Sequence, residues 1–414
     1  MICRSLLSFV LMALLGATGL QSQGNVNSRY TVERVDISDG GMSRISRTLQ
    51  EDLTRLIGAK LDPQKLDQLA RRVRKELNAR FVQQKLVRGT QPEQVIVLLD
   101  VKGRRQPTNF DVKIPKAVYS SKQGVSIEAE SSVKVASNWF KLGLVSDGDE
   151  LVERFTGLRA GYDRPSLGTD RVGLAFNFAS FHQKWNPDTE LALAARPDVP
   201  GVYRTRQEFA PTVSFVIAEP LTLSVGTSFQ RFETQFPAAR TESANALMTT
   251  LRLSERFADS RGDNHEVDAG YSLRAATKVL GSDFVYARHQ IDARYSFKRD
   301  EHTISAKFLL GRLSGTAPLF DRFVLGNTRT LRGWNKFEVD PLGGTSVTHG
   351  SLEYAYHWVQ FFYDVGVLRD RVRDTGTKHS LGVGVRSKSG MFLAMAFPVR
   401  SGRAAPMFMA GTEF

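Results

Sequence analysis

Cysteine occurs once in this chain, at Cys3. It lies in a stretch that reads as a secretory signal peptide, residues 1–19. Arg4 gives a short basic start, Leu6–Leu15 an apolar run, and Gly16, Ala17, Thr18 and Gly19 a small-residue end. Once that peptide is removed no thiol remains, so a disulfide framework and thiol catalysis are both excluded. Long hydrophobic runs are missing as well: nothing after Leu15 approaches the roughly 20 apolar residues of a membrane helix. The 7 histidines are scattered, with no pair at metal-ligand spacing, and G-x-S-x-G does not occur. The expectation is a protein that is not an enzyme and uses no cofactor. Acidic residues are outnumbered, 43 against 56 basic, for a net charge of +13. The basic residues are spread along the chain and an exported protein rarely meets nucleic acid, so nucleic-acid binding is not expected. Acidic lipid headgroups or acidic client chains suit the charge better.

What is present falls into two parts. Tyr30–Ile37 reads as a strand, and Ser43–Ile57 carries Ile45, Leu49, Leu53 and Leu56 at helical spacing. Asp62-Pro63 is an N-cap and first-turn pair that opens a second helix with Leu66, Leu69, Val73 and Leu77 on one stripe, Phe81 following in the series. Strands near 82–88 and 94–101 come next. Arg71, Arg72, Arg74 and Lys75 cluster on the second helix, as a solvated face or as a contact for lipid headgroups or an incoming chain. From Phe110 to Phe414 the whole chain reads as β. Val285, Ala287, Ile291, Ala293 and Tyr295 interleave with Tyr286, Arg288, Gln290, Asp292 and Arg294. Runs this long, with aromatics at their ends, exceed the usual five or six residues of a soluble sandwich and fit a transmembrane barrel. Eleven runs precede Arg332, among them 110–120 and 241–256, and five follow it, ending with 406–414, for sixteen antiparallel strands in all.

One stretch breaks the alternation. Leu331-Arg332-Gly333-Trp334 sits in a glycine-rich loop ahead of two strands. With Leu352, Tyr354 and Tyr356 outside, Glu353 points inward; with Phe361, Tyr363 and Val365 outside, Asp364 and Gly366 point inward. An arginine folded into that interior meets two carboxylates. At the ends of the barrel, Pro115 lacks the N–H a ladder needs and Gly411 has no side chain to pack, so the strands that close the barrel are weak pairers.

The β-α-α-β-β order of residues 28–102 resembles a single POTRA domain, the periplasmic module of outer-membrane insertases. With about sixteen strands over 110–414, Leu331-Arg332-Gly333-Trp334, an intact Phe362-x-Asp364-x-Gly366 and a final Phe414, the chain resembles the BamA/TamA/FhaC superfamily of bacterial surface antigens. Leu331 and Trp334 are conservative departures from that family's V/I-R-G-F/Y, and one POTRA-like unit is fewer than its members usually carry. The resemblance implies a Gram-negative-type outer membrane, with the POTRA-like unit in the periplasm. It implies a loop folded into the lumen, with Arg332 paired to Asp364 and Glu353 nearby, and a terminal Phe414 that serves as an assembly signal. The expected partners are outer-membrane lipids, unfolded barrel or secreted clients that enter through the POTRA-like unit and the seam, and periplasmic chaperones or accessory subunits. The expected function is assembly or translocation of β-rich clients. The alternative is a passive 16-stranded porin, which would conduct through large, steady pores, or a structural outer-membrane barrel.

Overall fold

Two hydrophobic periods run through the chain, and they fall in two units, residues 1–106 and 107–414. The computed structural model describes residues 29–77, 79–104, 108–112, 116–147, 152–196, 198–259, 263–387, 389–400 and 405–412. The expected signal peptide, Pro115 and Phe414 lie outside the described residues.

The first unit has strands β1 (Thr31–Ile37), β2 (Ala79–Arg88) and β3 (Gln94–Arg104), and helices α1 (Arg47–Thr54) and α2 (Pro63–Glu76). Its sheet runs β1-β3-β2, with β1 parallel and β2 antiparallel to the central β3. Val32, Val35, Val97 and Leu99 from the sheet meet Leu49, Leu53, Leu66, Leu69 and Val73 from the helices in one buried cluster. Asp62 caps α2 by accepting from the Gln64 and Lys65 amides. Helix α1 begins later than its periodicity suggests, because residues 38–44 form a 3₁₀ turn and Ser46 provides the cap. The α2 stripe likewise ends before Phe81, which belongs to β2.

The second unit begins with β4 (Thr108–Val112), β5 (Lys116–Ser120), β6 (Gly124–Val135), β7 (Asn138–Asp147), β8 (Arg154–Arg164) and β9 (Val172–Lys184). Next come β10 (Val202–Ala218), β11 (Leu221–Phe236), β12 (Arg240–Ser243), β13 (Ala246–Ala258), β14 (Asn264–Ala276), β15 (Val285–Arg299) and β16 (His302–Thr316). The last are β17 (Ser346–Tyr356), β18 (Val359–Arg369), β19 (Lys378–Arg386), β20 (Met391–Val399) and β21 (Met407–Thr412). They close into an antiparallel barrel of 16 strands, with β4 and β5 sharing one course along β6, and β12 and β13 another along β11. Among the described residues no helix is long and apolar enough to cross a membrane.

Not all of this unit is strand. The course expected as one run over 241–256 is interrupted at Asn245, whose side chain accepts the Gln230 amide at 3.0 Å and donates to the Leu280 carbonyl at 2.9 Å. Two short helices, α3 (Pro187–Ala194) and α4 (Lys336–Val339), stand in connections that composition alone reads as β. The connections on one rim are short, as at 136–137, 219–220, 300–301 and 357–358, whereas the other rim carries 185–201, 317–345 and 370–377.

The long-loop end of the barrel is filled with apolar side chains. Leu319, Phe323, Leu325, Leu331, Trp334 and Val339 of the 317–345 loop pack against Phe155, Phe181, Trp185, Tyr203, Phe232 and Leu368 in one buried cluster. Tyr203 and Phe232 meet the Phe320 ring edge-on, at 5.1 and 5.4 Å between centroids. A loop with so many apolar residues and no repeating period has no sheet or helix face to offer, so it buries them inside the lumen. Each large side chain taken out of water is worth roughly 1.5–3 kcal/mol.

Candidate functional site: a loop arginine held by the barrel wall

The pairing of β17 with β18 sets Ser351 opposite Asp364, Glu353 opposite Phe362 and His349 opposite Gly366. All six share the lumen face, because Leu352, Tyr354, Phe361 and Tyr363 between them are exposed on the outer face. Leu331 and Arg332 of the loop descend onto this row. The Leu331 amide donates to His349 Nε2 at 3.1 Å and the Arg332 amide to Asp364 Oδ2 at 3.0 Å. Leu331 adopts a left-handed backbone (φ 39°), which aims these consecutive N–H groups at one wall.

The Arg332 guanidinium uses its whole fork. Nε and Nη2 donate to the two Asp364 oxygens at 2.8 and 2.7 Å, Nη1 donates to Glu353 at 2.7 Å, and Nη2 also reaches Ser351 Oγ at 2.9 Å. Its plane lies over the Phe362 ring, 3.7 Å from the centroid. Lys307 of β16 approaches Glu353 at 3.1 Å, so two cations face two carboxylates. The Asp364 side chain is 1% exposed. Bidentate, charge-assisted pairing at such burial is strong and geometrically exacting.

Two glycines make room for this arrangement. A Cβ on Gly382 would stand 2.0 Å from the Phe362 ring, so glycine is the residue that lets the ring lie flat beneath Arg332. Gly333 has φ +97°, and a Cβ there would meet the β20 backbone at Pro398 N, 3.1 Å away. The Trp334 indole donates to the His379 carbonyl at 2.9 Å, and Lys378 sits 4.6 Å over its ring. Gly366 borders Leu325 and His349.

The structure thus brings Leu331, Arg332, Gly333, Trp334, Glu353, Phe362, Asp364 and Gly366 into one neighbourhood. His349, Ser351, Lys307 and Gly382 belong to it too, and sequence reasoning missed them. Inward parity with Glu353 was an available signal for His349 and Ser351. His357, which sequence parity puts on the Glu353 face, stands instead in the turn after β17 with φ 51° and faces Glu301 at 3.3 Å. Among the described residues no three His, Cys, Asp or Glu side chains converge as a metal cage.

A second contact ties the loop to the start of the barrel. Lys122 Nζ donates to the Gly333 carbonyl at 2.8 Å, and Gln123 Nε2 donates to the Gly326 carbonyl at 2.7 Å. These residues form the turn between β5 and β6, at the seam where β5 meets β21. Among the described residues of that seam, Ser120, Tyr119 and Val118 stand opposite Met409, Ala410 and Gly411. Behind the seam, a cavity of about 250 Å³ is lined by Lys116, Val118, Arg332, Glu353, Arg386 and Phe392.

The family profile of the Omp85 superfamily domain matches residues 138–401. Among solved structures, the chain is similar to BamA from Haemophilus ducreyi lacking POTRA domains 1–3, with a TM-score of 0.60 at 15% identity over 94% of this chain and 86% of that one. It is similar to CdiB from Acinetobacter baumannii, with a TM-score of 0.55 at 14% identity over 93% and 74% of the two chains. For CdiB from Escherichia coli the TM-score is 0.57 at 11% identity, over 94% and 77%. At these identities the likeness speaks for the fold. No curated protein sequence matches the chain.

Proposed function

The chain belongs to the Omp85 superfamily, and from that premise we propose that it inserts or exports β-rich client proteins through a gated barrel in the outer membrane. The observation that carries this reading is the loop tip fastened across the seam. A barrel that only conducts solutes needs no such clasp, whereas one that opens sideways must hold its edge, because every unpaired backbone group facing hydrocarbon costs several kcal/mol. Here the tip of the 317–345 loop bonds both sides of the line where β21 meets β5: Gly333 lies against β20, and Lys122 of the β5–β6 turn donates to the Gly333 carbonyl. Strand β4 stands between β21 and β5 in the closed order and pairs with β6 from Thr108↔Val135 to Val112↔Ser131. A client strand can add to such an edge through main-chain hydrogen bonds.

In this reading the Arg332 loop holds the seam shut from inside. Arg332 grips β17 and β18, Gly333 lies against β20, and Lys122 joins the same tip to the β5–β6 turn. Releasing the tip loosens both sides of the seam together. The first unit, with its three-stranded sheet under two helices, acts as a POTRA-like periplasmic receiver for clients and for any chaperones that deliver them. The short-turn rim then faces the periplasm and the long-loop rim faces outward, the usual disposition of outer-membrane barrels. The protein performs no chemistry of its own and needs no cofactor.

The test is a disulfide across the seam, Tyr119→Cys with Ala410→Cys, two residues that stand opposite each other. The oxidised protein should fold normally and stop handling clients until it is reduced. If the oxidised protein works at full rate, clients pass through the lumen and lateral opening is wrong. Comparing outer-membrane and extracellular proteomes after depletion identifies the clients and separates insertion from export.

A further inference from the structure

The 317–345 loop has a second polar attachment, at its root and on strands β14 and β15 rather than on β17 and β18, which hold Arg332. Asp321, at the root, is buried to 8% exposure. Its carboxylate accepts from the Tyr286 hydroxyl of β15 and lies 3.3 Å from Arg274 Nε of β14. Arg274 also donates to Tyr286 Oη at 3.1 Å, to Ser228 Oγ of β11 at 2.9 Å and to Glu208 of β10 at 3.4 Å, while Ser228 donates to Glu208 at 2.6 Å. Arg288 of β15 donates to the Asp321 carbonyl at 2.9 Å and stacks 4.4 Å from the centre of Phe323. The root is also zipped to the loop's own return, because Phe323 and Gly344 exchange both backbone hydrogen bonds at 2.9 Å. None of these contacts involves the residues that hold Arg332.

We propose that Asp321, Arg274 and Tyr286 are positioning residues that fix the root of the loop while the Arg332 tip is released, so that the loop moves in two separable parts. The inference rests on reading the Arg332 pair as a releasable lock. Its consequence is a seal. Root residues Leu319, Phe320 and Phe323 carry the apolar packing against Tyr203, Phe232 and Arg206 that fills the outer end of the lumen. With the root held, the tip leaves the seam and the outer end stays closed. A client strand then enters the bilayer sideways without a pore opening to the outside.

Two reporter thiols separate root from tip. Cys3 is the sole cysteine in the sequence, so the reporters are made in a Cys3→Ser background. Ala317→Cys reports on the root and Leu331→Cys on the tip; both positions are buried, at 3% and 0% exposure. The full chain, folded in lipid vesicles, is treated with a maleimide in the presence of Asp321→Asn, Tyr286→Phe or Arg332→Ala. Asp321→Asn removes the anion that Arg274 and Tyr286 hold, so labelling at position 317 should rise by about tenfold or more, with little change at 331. Tyr286→Phe deletes one hydroxyl, should act in the same direction more weakly, and keeps the test open if Asp321→Asn does not fold. Asp321→Asn should also raise the vesicles' ion leak. The proposal is overturned if position 317 stays unreactive in both root variants, or if root and tip variants expose both positions alike. If Arg332→Ala exposes neither position, it is the lock reading that fails, because the root anchor is judged at position 317.

Discussion

Removing Arg332 leaves Asp364 in the barrel wall with an exposed side-chain fraction of 1% and no cation in contact, while Glu353 keeps Lys307 at 3.1 Å. Breaking a buried pair in this way costs about 3–5 kcal/mol, mostly the penalty of the stranded charge. Arg332→Ala and Asp364→Asn should therefore each weaken the seating of the loop by an amount in that range, without unfolding the barrel, because Lys122, Trp334 and Lys336 still hold the loop. The readout is hydrogen exchange at the Leu331 and Arg332 amides, which are bonded to His349 and Asp364. Local opening is what exchange measures. A loss of about 3 kcal/mol lowers protection by roughly two orders of magnitude. Since both variants remove the same interaction, the double variant should be little worse than either, with a coupling of about 2 kcal/mol or more. Arg332→Lys should recover only part of the loss, because an ammonium cannot span both Asp364 oxygens, Glu353 and Ser351 while stacking on Phe362. Additive losses, or full rescue by lysine, would refute the bidentate lock.

Gly382→Val should push the Phe362 ring out from beneath Arg332, at a cost of about 1–3 kcal/mol typical of overpacking, and lower protection of the Arg332 amide as a tip variant does. Unchanged protection would mean the ring is not a support. In the outer loops, burial alone would raise the Asp370 carboxyl, but Arg322 and Arg196, each at 3.0 Å, hold it below the usual range. The Arg196 hydrogen bonds lower Asp198 to about 2. Both carboxyls are depressed, so their contribution to loop closure is complete above about pH 4 and fades as pH falls through their folded values. Hydrogen exchange of residues 185–201, corrected for its intrinsic pH dependence, should stay flat down to about pH 5 and rise only in stronger acid; opening near pH 6 would contradict this.

The barrel was legible because alternation is a local property: each outward Leu, Phe or Tyr of β15 or β17 marks its neighbours as inward, whatever the rest of the chain does. The carboxylates Glu353 and Asp364 could be found by the same parity, and Arg332 by the glycine-flanked loop that carries it. What the sequence withheld is whatever depends on register between strands. Gly382 is one of two glycines in β19, and nothing near it in the sequence hints that a Phe362 ring fills its space. Nothing within four residues of Asp321 signals that Arg274, far earlier in the chain, waits for its carboxylate. Helix α3 failed differently. Asn186-Pro187 is a cap and first-turn pair like Asp62-Pro63, yet it falls in the gap between the runs 170–183 and 203–217 and reads there as connection. The apolar filling of the outer lumen was also unreadable, since Leu319, Leu325 and Leu331 follow no period. That filling is what gives the two loop attachments different physical roles. On the proposed gating, a competing strand or a shift of β18 disturbs the charges on which the Arg332 tip rests. The Asp321 root is fastened beside a dry aromatic cluster, where water cannot replace a lost partner. Disturbance at the seam therefore reaches the tip first.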